Sequence, residues 1–115
     1  RVTDWVKRHT ARFEGMSPVH TVNNACLTVW GLTLGGTDVS RVIGETVAMG
    51  LDNDCTAATA GSIGGAVVGQ AGVPEHWYAH FNDTIHSYLI GRESFSIQDV
   101  LKRFEAQARR VHSQT

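Results

Sequence analysis

Between Cys55 and about Ala71 small residues return at every fourth position: Ala57, Gly61, Gly65 and Gly69, with Ala58, Ser62 and Ala66 in a second row beside them. On a helix a four-residue step advances about 400°, so each row forms one slowly drifting face. Each glycine in a helix interior costs ~1 kcal/mol relative to alanine. Several on one face are offset only where neighbouring helices come close, because small residues let backbones approach. This segment is therefore expected to be a central helix crowded on several sides.

The flanking segments read as its neighbours. Val2 to Phe13 places Val2, Trp5, Val6 and Phe13 at near-helical spacing, and Gly15 suits a left-handed cap before Pro18. Thr21 to Leu34 carries Val22, Ala25, Cys26, Val29, Trp30, Thr33 and Leu34, stopped by Gly35-Gly36. Its β-branched content also suits a strand, but its length favours a buried helix. A third helix, capped by Thr37 or Asp38, runs through Val39, Val42, Ile43, Thr46, Val47 and Met49 to Gly50. After the small-residue helix, Pro74 opens a short turn through Trp77 and Tyr78. Asn82-Asp83-Thr84 is a cap or turn before Ile85, Tyr88 and Leu89. The last helix takes Ser96 as its N-cap with Asp99 three residues on, turns Ile97, Val100, Leu101 and Phe104 inward, and frays past Arg109. No βαβ alternation is visible, so the expected class is all-α.

Composition narrows the functions. The 115 residues are 42% hydrophobic and 18% charged, enough for a core. Ten Lys+Arg against eleven Asp+Glu leave a net charge of −1, with one basic cluster at Lys102, Arg103, Arg109 and Arg110. That balance argues against a nucleic-acid partner. No window reaches the ~18 apolar residues of a membrane span, and no signal-peptide pattern opens the chain. The two cysteines, Cys26 and Cys55, are too few for a disulfide framework or a CxxC-type zinc site. Free thiols and a cytoplasmic setting are expected. Because the chain opens on Arg1, it is expected to have been processed, trimmed or cut from something longer.

Chemistry concentrates just before the small-residue helix, in Gly50-Leu51-Asp52-Asn53-Asp54-Cys55-Thr56. Two carboxylates separated by one residue can converge from an irregular loop, which residues two apart on a helix cannot. Mg²⁺ typically takes one or two protein carboxylates plus waters. The competing explanation is helix capping, since Asp also stabilises orphan N–H groups at a helix start. An EF-hand is excluded by Ala57 and Ile63, where that loop requires Gly and Glu. A phosphate loop is excluded because no Gly-Lys pair occurs. His20, His76, His80 and His86 raise zinc, but His76 lacks the following Glu of HExxH and reads as a surface pair with His80. No GxSxG elbow occurs.

The run from Gly50 to Ala66 resembles the second metal-binding motif of the ADP-ribosylglycohydrolase family: Gly-x-Asp-x-Asp-[Thr/Cys]-x-x-Ala-x-x-Gly before a glycine-rich helix. His20-Thr21-Val22-Asn23-Asn24-Ala25 is similar to the segment that leads into the preceding helix. Pro74, Trp77 and Asn82-Asp83 fall where a bacterial branch has a Pro…Trp…Asn-Asp pattern. The resemblance spans about residues 19–104. It implies an all-helical domain with two Mg²⁺ ions, Mn²⁺ being a possible substitute, that hydrolyses the glycosidic bond joining ADP-ribose to a protein side chain or small acceptor. By position it implies that Asp52 binds one ion, that Asp54 bridges both, and that Cys55 stands where many members carry a Thr ligand. A thiol is a poor Mg²⁺ ligand.

The family's other acidic motif has no counterpart between Arg1 and Gly50. The 115 residues are therefore expected to be a single partial domain, the C-terminal portion of the family fold. Its partners are then the missing N-terminal part, in the same or another chain, and the ADP-ribosylated substrate. Apolar faces left uncovered would favour association. The alternative is a catalytically inactive helical module that keeps the fold and serves interaction or assembly.

Overall fold

The computed structural model describes Asp4, Lys7, Arg8 and residues 11–113. Of the first expected helix, Asp4, Lys7, Arg8, Ala11 and Arg12 are helical, and Gly15 takes φ +78°. The apolar residues Val2, Trp5 and Val6 lie outside the described residues. Contacts divide the chain into two compact units, Arg1–Pro74 and Glu75–Thr115.

The first unit is built on three helices: α1 (Thr21–Gly35), α2 (Val39–Ala48) and α3 (Asn53–Val68). Each packs on the other two. His20 caps α1, its Nδ1 accepting from the Val22 N–H at 3.2 Å. Asp38 caps α2, accepting from the Arg41 N–H at 3.0 Å. Leu27, Val39, Val42, Met49, Ala57 and Ala60 form the core, with Val42 and Ala60 wholly inaccessible. Thr28, Thr46 and Thr56 are also buried. Each of these hydroxyls donates to the carbonyl four residues earlier, so no buried donor is left unmet (Thr46 to Val42, 2.7 Å).

The buried face of α1 is not the apolar one. Asn23, Leu27, Thr28, Gly31 and Gly35 are buried, whereas Val22 and Val29 are exposed. The reason is the approach of α2. A methyl at Gly35 would collide with the Val42 backbone and side chain, and one at Gly31 with the Thr46 hydroxyl. Only glycine lets these helices reach each other, and a branched side chain on that face would hold them apart.

The row expected on α3 is partly displaced as well. Its buried face is Thr56, Ala57, Ala60 and Gly64, with Ala58, Ser62 and Ala66 exposed. A methyl at Gly61 would come within 3.0 Å of Ile43, but one at Gly65 would meet Val73 at an ordinary 3.8 Å. Gly69 ends the helix with φ +68°, and a short 3₁₀ turn (Gln70–Gly72) replaces the expected continuation to Ala71. The close-approach glycines are thus chiefly those of α1.

The second unit opens on a 3₁₀ turn (Glu75–Trp77) and contains a hairpin, β1 (Thr84–Leu89) and β2 (Arg92–Ser96), followed by α4 (Ile97–His112). The strands are antiparallel, pairing Thr84 with Ser96 and Ile85 with Phe95, and Gly91 takes φ +72° in the turn. This hairpin is the one departure from an otherwise all-α chain among the described residues. β-branched and aromatic residues at Thr84, Ile85, Tyr88 and Phe95 suit a pleated surface. Ser96 caps α4 by accepting from the Asp99 N–H at 3.1 Å. Asn82 and Asp83 are both left-handed, and Asp83 braces the helix start. It accepts from the Ser96 hydroxyl at 2.6 Å and the Gln98 N–H at 2.9 Å. α4 runs to His112, three residues past Arg109, with an exposed Arg109–Glu105 ion pair at 2.8 Å on its surface. Of the residues expected to point inward, Ile97 and Val100 are half-buried while Leu101 and Phe104 are exposed.

Two outcomes follow. Gly35→Ala should cost ~1–3 kcal/mol through overpacking. Gly65→Ala should hold or raise the melting temperature, since it gains helix propensity without a clash. Equal losses in thermal melts of the two variants would contradict the packing described. The second outcome concerns acid. The Ser96 hydroxyl, and after it the Gln98 N–H, hold the Asp83 carboxyl below its ordinary 3.8. Its contribution is present above that value and is lost as pH falls through the lowered folded-state one. Carbon-detected NMR of Asp83 should give a midpoint below 3.8, and a midpoint at or above it would contradict the capping role.

Candidate metal centre

The candidate site lies where α2 hands the chain to α3. The Gly50 N–H donates to Val47 O at 3.1 Å as α2 closes. Gly50 and Leu51 then both take left-handed conformations, φ +73° and +59°. For leucine that region is strained, a cost of order 1–3 kcal/mol that surrounding structure must hold in place. The paired reversal turns the chain so that α3 starts immediately, with Asp52 at its N-cap.

Asp52 does not use its side chain as a cap. The α3 start has no side-chain cap hydrogen bond. Its backbone carbonyl takes the Thr56 N–H and hydroxyl at 3.0 and 3.1 Å. The carboxylate instead accepts from Asn24 Nδ2 of α1 at 2.6 Å. The capping explanation therefore fails for Asp52. Ligand atoms of Asp52, Asp54 and Cys55 all lie within 4.8 Å of one another. Asp52 is half-buried, whereas Asp54 and Cys55 are exposed. The three residues singled out from the sequence are thus brought together. No other His, Cys, Asp or Glu among the described residues joins them.

The electrostatics separate the carboxylates from the thiol. A hydrogen bond to Asp52, then the charges of Asp52 and Asp54, push the Cys55 thiol above its ordinary 9.0. In the metal-free protein it stays protonated at neutral pH, and sulfur is a soft donor, poorly matched to a hard divalent cation. Two convergent carboxylates, by contrast, suit Mg²⁺ or Mn²⁺. Asn24 Oδ1, at the other end of the amide from the bond to Asp52, is buried with no hydrogen-bond partner. The oxygen donors fit a hard cation, and Cys55 does not fit as a ligand to it. A groove of about 430 Å³ runs between α1 and α3 alongside, lined in part by Asn24, Thr28, Cys55, Thr56 and Thr59.

The remaining candidates fall elsewhere. Glu45 pairs with Arg41 at 3.6 Å on α2. His20 uses Nδ1 for the α1 cap. His76 tilts against Trp77 in the 3₁₀ turn, its ring centroid 5.3 Å away, and no histidine cluster forms among the described residues. Both cysteines are free. Asn24 is the residue sequence reasoning missed. It lies within the His20–Ala25 segment, but a contact across 28 positions leaves no local signal.

A unit of three mutually packed helices with an acidic cluster at a helix start is the class defined by this geometry. Residues 2–111 match the sequence family described as ADP-ribosylglycohydrolase. The chain belongs to that family, and the match is wider than the residues 19–104 on which the resemblance rested. No curated protein and no solved structure matches it. Among the described residues no helix is long and apolar enough to cross a membrane.

The raised thiol gives a direct check. In metal-free protein, alkylation of Cys55 followed by peptide mass spectrometry should show a midpoint above 9.0, falling back toward it in Asp52→Asn. A midpoint below 9.0 in the wild type would contradict the described contact.

Proposed function

We propose that this chain supplies one side of the metal centre of a magnesium-dependent hydrolase that removes ADP-ribose from a protein side chain or small acceptor. The observation that carries the reading is the Asp52–Asp54 pair, converging within 4.8 Å with Cys55 and left uncommitted to helix capping. Asp52 and Asp54 would hold the ions, with Mn²⁺ able to replace Mg²⁺. Bound cations at such a site supply Lewis acidity and a grip on vicinal hydroxyls. The chain's own contribution is to aim the carboxylates. Asn24 donates to the Asp52 carboxylate, which makes no bond to the α3 N–H groups.

A dinuclear centre needs ligands on both ions and a group to manage the proton on water or leaving group. Two carboxylates do not meet that requirement, and the nearest preceding carboxylate, Glu45, is engaged by Arg41. The remaining ligands and the acid/base group are therefore assigned to further polypeptide, in the same or a second chain. The uncovered apolar residues of α1, Val22 and Val29, are consistent with such a neighbour.

The intact protein should bind Mn²⁺, and Asp54→Ala should remove most of that binding in calorimetric titration. Asp52→Asn should be milder if it touches one ion. Indistinguishable wild-type and Asp54→Ala titrations would sink the assignment. The 115 residues alone should bind metal weakly and release no ADP-ribose from a modified substrate. Robust metal-dependent turnover by them would overturn the shared-site reading and make Glu45 the first carboxylate to substitute.

A further inference from the structure

We infer that Asn24 is a positioning residue for the candidate metal centre: its side-chain amide fixes the Asp52 carboxylate in the orientation that faces a cation. The inference rests on the metal reading above. Three observations carry it. Asp52 occupies the N-cap position of α3, where an aspartate ordinarily turns its carboxylate onto the helix N–H groups, yet no such bond is made. In its place stands a 2.6 Å hydrogen bond from Asn24 Nδ2, reaching from α1 across 28 residues. The orientation of the amide is set chemically. Reversing it would put Oδ1 against a carboxylate oxygen, so Nδ2 must face Asp52 and Oδ1 must turn away. Oδ1 is buried without a partner. A neutral donor leaves the full charge on Asp52, whereas a lysine or arginine there would cancel the charge a cation needs.

Asn23 supplies the contrast. It is 2% exposed, donates to the Pro18 carbonyl at 3.4 Å, and has an Oδ1 that is likewise buried without a partner, so the bond to Asp52 is what sets Asn24 apart. Its role is to hold the start of α1.

The experiment uses the 115-residue chain with Mn²⁺ as the probe, following water-proton relaxation and amide line broadening at Asn53–Thr56. Asn24→Ala should weaken Mn²⁺ binding about 10-fold or more, the usual effect of removing a hydrogen-bonding partner of a ligand. Asn23→Ala should lower the melting temperature and leave Mn²⁺ affinity unchanged. Asn24→Ala in an Asp52→Asn background should cost no further affinity, because its effect runs through that carboxylate. Unchanged affinity in Asn24→Ala, or a full additive loss in the double variant, would overturn the inference. If wild-type protein shows no Mn²⁺ broadening at these amides, the metal reading fails. The same double-variant cycle, read as melting temperature in chelator, then decides whether Asn24 holds Asp52. Coupled losses establish the holding contact, and additive losses overturn it.

Discussion

The fit of α1 against α2 at Gly31 and Gly35 is the contact on which the first unit depends. Val42 and Thr46 occupy the space a side chain would take at those positions. Thr46 cannot readily turn aside, because its hydroxyl is committed to the Val42 carbonyl. The same face continues toward the start of α1. Asn24, Thr28, Gly31 and Gly35 follow steps of four and three, so they form one stripe. Asn24 stands about two turns, roughly 10 Å, from Gly31. The depth at which α1 sinks onto α2 therefore sets how closely Asn24 can approach the segment that follows α2. A donor bond of 2.6 Å to Asp52 tolerates little change in that depth.

The loop completes the arrangement from the other side. The left-handed pair Gly50-Leu51 reverses the chain within two residues, so that Asp52 is presented at once beside α1. Leucine accepts that conformation only under constraint. Asn53 Nδ2 anchors the turn to the Val47 carbonyl at 3.2 Å, and the Asp52 carbonyl starts α3 through Thr56. Backbone geometry thus initiates the helix and frees the aspartate side chains. Close packing, a strained turn and an uncapped helix start together bring a half-buried and an exposed carboxylate to a single place.

Much of this was legible in the sequence where the signal is local. Asp38 and Ser96 cap their helices as their positions imply, and the Gly50–Thr56 motif converges as its spacing allows. The glycine-rich row on α3 drew notice away from the sparser pair on α1. Which glycines meet a neighbouring helix depends on the partner's residues, and these lie on the next helix, seven to fifteen positions away in Val42 and Thr46. The buried face of α1 was obscured for the same reason. Periodicity assigns apolar residues to the inside, but Val22 and Val29 face outward and the approach of α2 selects the small ones. In the hairpin, the irregular register between His86 and Leu89 breaks the alternation by which strands are recognised. Ser87 fills that irregularity, its hydroxyl donating to the Arg92 carbonyl at 2.6 Å.

We propose that a cation held by Asp52 and Asp54 accounts for the uncapped Asp52. Anomalous diffraction from crystals soaked in Mn²⁺ tests it most directly. The account predicts an anomalous peak in contact with both carboxylates, with Asn24 still bonded to Asp52. A peak elsewhere or none, with the Asp52 carboxylate turned onto the α3 N–H groups, would contradict it.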